Sequence, residues 1–298
     1  MRKSLTALAL CLSVAGLAAP AHAQLTGTLQ KIKDSGAITI GHRESSVPFS
    51  YLDANQKPIG YAMDLCAKVV DAIKTELKMP SLQVNYQAVT SQNRIPLMQN
   101  GTIDLECGST TNSVARQQQV GFSVAYFVTS VRMAVRKDSG VKDIGDLNGK
   151  PVVTTTGTTS DQLIKMNEKG KTIDVRNIYG KDHADSFLMV ESSRAAAFVM
   201  DDILLAGLIA SSKSPANFDI VGPSLRDEPY AVMMRKDDAP IKALVDKTLA
   251  GLMKSGEAEK LYAKWFMNPV PPRNVNLNFP MSPAVKAAFQ SPTDKGVE

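Results

Sequence analysis

The chain has 298 residues, 44% of them hydrophobic and 6% aromatic, with 34 basic and 29 acidic residues and a formal net charge of +5. So mild a balance, with no interleaving of aromatic and basic residues, gives no platform for nucleic acid. The length suits two lobes of ordinary domain size.

The first residues read as an export signal. Arg2 and Lys3 precede an apolar run from Leu5 to Ala19, and Ala21-His22-Ala23 has the small-x-small pattern of a cleavage site. The run is shorter than a membrane span, and no later stretch is long and apolar enough to be one. Cleavage after Ala23 leaves Gln24 as the first mature residue, lowers the net charge to +3 and places the mature chain in the periplasm. Cys11 departs with the signal. Cys66 and Cys107 remain, an even pair in an oxidising compartment, where a disulfide is favoured over two buried thiols.

Elements alternate from there. A short helix over 28–33 ends at Gly36, and residues 37–40 read as a strand releasing the polar run His42-Arg43-Glu44-Ser45-Ser46. An extended segment over 48–52 and a turn over 53–58 precede a helix over 62–78, marked by Leu65, Val69, Ile73 and Leu77 at four-residue spacing. A strand over 82–89 delivers Ser91 and Arg94 to the start of a helix ended by Gly101. Residues 103–105 form a third strand. Gly108 then permits a sharp turn, Ser109, Thr110 and Thr111 follow, and Asn112 or Ser113 caps a helix that starts near Val114 and carries Arg116 in its first turn. Hydroxyls, orphan N–H groups and a guanidinium at one strand end suit a carboxylate. The plainer reading of the same residues is a capped helix with a solvated arginine.

A strand pair near 123–128 and 132–136 leads into a second unit: a strand over 151–154, a Gly-and-hydroxyl turn over 155–160 opening a helix, a strand over 173–178, a helix starting at Lys181-Asp182-His183, and a strand over 195–200 that delivers Asp201 and Asp202 to its carboxyl edge. A helix over 203–211, a strand over 218–221 and a return strand over 230–234 follow, then helices over 239–254 and 257–266. The tail from Asn268, with Pro269, Pro271 and Pro272, reads as irregular. Strands alternating with crossover helices make a parallel α/β sheet, whose ligands lie beyond the carboxyl ends of the strands. Arg43, Ser91, Arg94, Ser109, Thr111 and Arg116 all follow strand ends. One unit interrupts the other through two crossing segments, so the expected fold is two doubly wound α/β lobes on a hinge. Their expected extents are 24–128 with 230–298 for the first lobe and 129–229 for the inserted second.

The segments G-H-R-E-S-S-V-P-F-S-Y (41–51), T-S-Q-N-R-I-P-L (90–97), E-C-G-S-T-T-N (106–112), K-D-H-A-D-S-F (181–187) and S-G-E-A-E-K (255–260) carry a resemblance to the periplasmic glutamate/aspartate-binding proteins of ABC importers. It runs in order from about Leu29 to Lys295. The resemblance implies two α/β lobes on a two-strand hinge that close on L-glutamate or L-aspartate and pass it to the permease and ATPase subunits of an importer, as a monomer and without a cofactor. It implies that Arg116, Thr111 and Ser109 hold the α-carboxylate and that Asp201 holds the α-ammonium. Arg43, Ser91, Arg94 and His183 would then surround the side-chain carboxylate, with Thr159 contributing from the second lobe. Such a set carries surplus positive charge, for which Glu44, Glu106, Asp182 and Asp185 are the candidate counter-ions. Asp202 reads as a helix cap, His42 as facing away from Arg43, and the 13 methionines as core filler. A sensor partner with the same site and a same-fold enzyme are the rival readings. The enzyme is disfavoured by the lack of metal-ligand spacing and of a nucleophile elbow.

Overall fold

The computed structural model describes residues 25–298; the signal-peptide reading, with its cleavage site before Gln24, lies outside the described residues. The first lobe begins with α1 (Gly27–Ser35), β1 (Ala37–His42), a small antiparallel trio β2 (Ser45–Ser46), β3 (Ser50–Leu52) and β4 (Pro58–Ile59), and α2 (Tyr61–Leu77). It continues with β5 (Gln83–Ala88), α3 (Arg94–Gln99), β6 (Leu105–Cys107), α4 (Val114–Gln117) and β7 (Gly121–Phe122). The second lobe is built on β8 (Phe127–Arg136), β9 (Pro151–Thr155), α5 (Thr159–Lys169), β10 (Arg176–Gly180), α6 (His183–Glu191), β11 (Ala197–Asp201), α7 (Asp202–Ala210) and β12 (Phe218–Val221). The chain returns through β13 (Asp227–Tyr230) and β14 (Met233–Met234), then adds α8 (Ala239–Lys254), α9 (Glu257–Phe266), a β15 (Pro269–Val270) and β16 (Val275–Asn276) hairpin, and α10 (Pro283–Gln290).

Each lobe has its own sheet. Strand order is β5-β1-β6-β14-β7 in the first and β10-β9-β11-β8-β12 in the second. In the first lobe β1, β5 and β6 run parallel, and in the second β9, β10 and β11 do. The carboxyl ends of both triplets therefore face the space between the lobes. The helix periodicity is realised in α2, where Leu65, Val69, Ile73 and Leu77 are all buried.

Two expectations need correction. The strand pair near 123–128 and 132–136 is instead one strand, β8, that changes partner along its length. Its first residues, Phe127 to Ser130, pair with β13, and Val131 to Val135 pair with β11. A single strand with two partners shows no internal turn residue, yet it crosses from hinge to lobe. β8 and β13 are the two strands joining the lobes. The tail is also not irregular throughout. Ser282 caps α10 by accepting from Val285 N at 3.2 Å, Pro283 occupies the first turn, and Val285 and Phe289, four residues apart, are buried.

An aromatic cluster fills the base of the hinge. Phe127 and Tyr230 of the crossing strands lie 4.8 Å and 5.1 Å from the Phe49 ring, and Phe127 stacks 5.1 Å from Phe266. Edge and stacked contacts of this kind anchor the crossing strands in the core of the first lobe. Cys66 of α2 and Cys107 of β6 are disulfide-bonded, with Cα atoms 6.2 Å apart, which ties a crossover helix to the strand leading to Ser109.

Candidate functional site

Three guanidiniums from separate strand ends of the first lobe meet in its cleft wall, and all three are buried. Arg43 follows β1. Its Nε donates to Val89 O at 3.1 Å, its Nη2 reaches His183 Nε2 at 3.4 Å across the cleft, and its Nη1 has no partner among the described residues. Arg94 opens α3, donates through Nη1 to Thr110 Oγ1 at 2.5 Å, and keeps a buried, unpartnered Nε. Arg116 donates to Thr111 O at 3.0 Å and, across the cleft, to Gly157 O at 3.2 Å. The solvated-arginine reading therefore does not describe Arg116. Helix α4, which carries it, has only four residues and is capped by Ser113, which accepts from Arg116 N. So short a helix carries little dipole, and the attraction for an anion comes chiefly from the guanidinium.

Burial, and then the neighbouring Arg94, lower the Arg43 pKa to about 10 and that of Arg116 to about 9; burial lowers Arg94 as well. Acidic neighbours oppose each shift: Glu106 and Asp182 for Arg43, Glu106 for Arg94, and Glu228 and Asp201 for Arg116. Of the four candidate counter-ions, Glu106 is the one fully buried beside the arginines, whereas Glu44 is exposed. Asp182 caps α6 by accepting from Asp185 N at 2.8 Å, and Asp185 accepts from Lys181 N at 3.0 Å.

Ser91, Ser109 and Thr111 are buried on the same wall. The Ser91 hydroxyl has no partner among the described residues, while Ser109 Oγ donates to Ser46 Oγ at 3.3 Å. His42, on the neighbouring position of β1, sets its ring edge-on to Tyr86 at 6.3 Å.

The second lobe presents Thr159, His183 and Asp201. A guanidinium only donates, so His183 Nε2 accepts from Arg43, the proton sits on Nδ1, and Nδ1–H donates to Thr155 Oγ1 at 3.0 Å. Burial, then Arg43 and Arg94, push the His183 pKa well below its usual value, so the ring is neutral. Thr159 Oγ1 donates to Glu228 Oε2 at 2.9 Å. Asp201 ends β11 with Oδ2 accepting from the Tyr230 hydroxyl and Oδ1 unpartnered among the described residues. Burial, then the nearby Glu228, raise its pKa well above the carboxylate range, against the Tyr230 bond. Asp202 next to it holds the hinge instead, accepting from Thr129 Oγ1 at 2.5 Å and from Ile203 N at 2.7 Å.

Sequence reasoning missed Tyr230 and Glu228. Both lie on β13, in D-E-P-Y, and Glu228 is fully buried, ion-paired to Arg226 at 2.8 Å. An isolated acid and a tyrosine on a return strand carry no signal until the hinge pairing brings them beside Asp201.

Two glycines let the lobes meet. A Cβ on Gly157, where φ is +80°, would lie 2.7 Å from Gln92 Cα, and one on Gly207 of α7 would lie 2.4 Å from Val47 O. Together the walls offer unpartnered donors on one side and an unpartnered carboxylate oxygen on the other, the complement of a ligand that carries both anionic and cationic groups.

Residues 38–268 match the model of the bacterial extracellular solute-binding proteins, family 3. The chain is 51% identical to the L-glutamate/L-aspartate-binding protein of Pseudomonas aeruginosa and 52% identical to the glutamate/aspartate import solute-binding protein of Escherichia coli. Each alignment covers 100% of this chain and 99% of the relative. A mutant of ArgBP from T. maritima superposes with a TM-score of 0.72 at 26% identity, over 80% of this chain and 99% of that one.

Proposed function

Because this chain belongs to the bacterial extracellular solute-binding proteins, family 3, we propose that it captures L-glutamate or L-aspartate between its lobes and delivers it to an ABC-type importer. The observation that carries the reading is the division of buried charge: three guanidiniums on the first lobe face one unpartnered carboxylate oxygen on the second. An acidic amino acid has two carboxylates and one ammonium, and such a cleft gives each a partner. In this reading Arg116, Thr111 and Ser109 take the α-carboxylate and Asp201 takes the α-ammonium. The side-chain carboxylate goes to Arg43, Ser91 and Arg94, with Thr159 and the neutral His183 closing over it from the second lobe. His183 acts by orienting Arg43, since its Nε2 lone pair is already an acceptor.

The ligand touches both lobes, so its binding energy favours the closed form over the open one. The chain would work in the periplasm after removal of residues 1–23, as a monomer docking on permease and ATPase subunits, and would release its ligand chemically unchanged. Calorimetry with a panel of amino acids, on protein unfolded and refolded to strip carried-over ligand, tests this. One-to-one binding of glutamate or aspartate, with no product formed, is expected. Absence of heat from both acidic amino acids would refute it.

A further inference from the structure

Glu106 lies on β6, opposite Gly41 of β1, and is fully buried. Its Oε2 and the Arg94 guanidinium share one hydroxyl: Thr110 Oγ1 is 2.5 Å from Glu106 Oε2 and 2.5 Å from Arg94 Nη1. The direction of this relay is forced. The guanidinium can only donate, so Thr110 accepts from it and has its single proton left for the carboxylate. Arg94 is thereby held at one end while its Nε stays buried and unpartnered. On the other side Glu106 crowds Arg43. A Cβ on Gly108 would lie 2.5 Å from Glu106 Oε1 and 2.8 Å from Arg43 Cγ, so the carboxylate and the Arg43 stem share the space that the glycine leaves.

We propose that Glu106, acting through Thr110, is a positioning residue that sets the charge of the side-chain subsite, so that it accepts one negative charge and discriminates against two. The inference rests on the function proposed above. In the bound form the ligand ammonium keeps Asp201 ionised. Arg43, Arg94 and Arg116 are then opposed in the cleft by Asp201 and Glu106, while Asp182 is engaged as the cap of α6, Glu228 is matched by Arg226 and His183 is neutral. The remaining single positive charge balances an amino acid with a monoanionic side chain. A phosphate in place of that carboxylate brings a second negative charge, which the buried Glu106 repels. A neutral amide leaves the guanidiniums short of a partner.

The test uses the mature protein and two variants, with L-glutamate and O-phospho-L-serine at pH 8, where the phosphate is dianionic. In Glu106→Gln the amide oxygen can still accept from Thr110, so the relay survives while the charge is gone. The ratio of phosphoserine to glutamate affinity should rise at least tenfold over wild type; a ratio that is unchanged or falls overturns the proposal. Thr110→Val, which keeps the charge but cuts the relay, should weaken glutamate at least tenfold, and Thr110→Ser should restore it to within about threefold. Equal loss in the serine and valine variants overturns the relay. If Glu106→Gln does not fold, the threonine pair decides the relay and the wild-type protein decides the charge: phosphoserine bound as tightly as glutamate overturns the discrimination. Wild-type protein that binds no acidic amino acid refutes the function reading itself. Wild-type binding with a flat Glu106→Gln ratio refutes only the role of Glu106.

Discussion

Gly207→Ala separates lobe closure from fold stability. Gly207 is a buried position of α7 in the second lobe, and the Cβ of an alanine there would lie 2.4 Å from Val47 O and 3.0 Å from Val47 C and Cβ. Ordinary contact begins at 3.4 Å, so the new methyl is 1.0 Å too close to the backbone of the β2–β3 turn in the first lobe. Backbone cannot rotate away as a side-chain tip can, so the lobes must stand apart or the turn must shift. Overpacking of this size costs about 1–3 kcal/mol. The cost falls on the closed arrangement alone, which makes glutamate binding about 5- to 150-fold weaker. The helix itself gains, since alanine exceeds glycine in helix propensity by up to about 1 kcal/mol. The expected signature is therefore a melting temperature equal to or above wild type without ligand, and a weakened affinity by calorimetry. Small-angle scattering should also show a smaller fall in radius of gyration at saturating glutamate. Wild-type affinity in a variant of raised stability would refute the reasoning, because the Val47–Gly207 approach would then not belong to the bound form.

Arg94→Met should weaken glutamate by about tenfold to a hundredfold while changing glutamine little, the cost of an unmatched charged group being about 1–3 kcal/mol. Arg116→Met should weaken both; calorimetry with the two amino acids distinguishes these outcomes, and an untouched ratio in Arg94→Met would remove Arg94 from the side-chain subsite. Asp201 is a carboxyl whose folded-state pKa is raised by burial and by Glu228, so the ligand-free folded protein binds more protons than the unfolded chain. Its contribution to stability therefore declines as pH rises from the usual carboxylate range through the raised value, and Asp201→Asn should flatten that part of a denaturation-versus-pH profile. Ligand ammonium favours the ionised form, so glutamate binding should release protons at pH values between the usual carboxylate range and the raised value, read from calorimetry in buffers of different ionisation enthalpy. Non-reducing alkylation should find no free thiol on Cys66 or Cys107, and reduction should cost about 4 kcal/mol by the chain-entropy estimate for their separation of 41 residues, measured by denaturant unfolding.

Local chemistry written in short stretches determined most of the frame. The four-residue spacing of Leu65, Val69, Ile73 and Leu77 is a property of one helix, and it predicted α2 to within a residue at each end. Parallel α/β topology sends every strand's carboxyl end to the same edge, so Arg43, Arg94 and Arg116 were legible as one wall without knowledge of any distance. A cap at Asn112 or Ser113 was legible because a cap is decided within four residues, and the structure selects Ser113.

What only the tertiary structure decided is everything that depends on two distant segments meeting. Glu44, Glu106, Asp182 and Asp185 are equivalent acids in the sequence. Pairing of β6 with β1 buries Glu106 beside two guanidiniums, while Glu44 is left in water. Glu228 and Tyr230 looked like part of an ordinary return strand until antiparallel pairing of β13 with β8 carried them to Asp201. The same pairing made one strand of the two expected over 123–136, since a strand that exchanges partners needs no turn to mark the exchange. Electrostatics between buried groups depends on separation and on the surrounding dielectric, and neither is a property of any local stretch of chain.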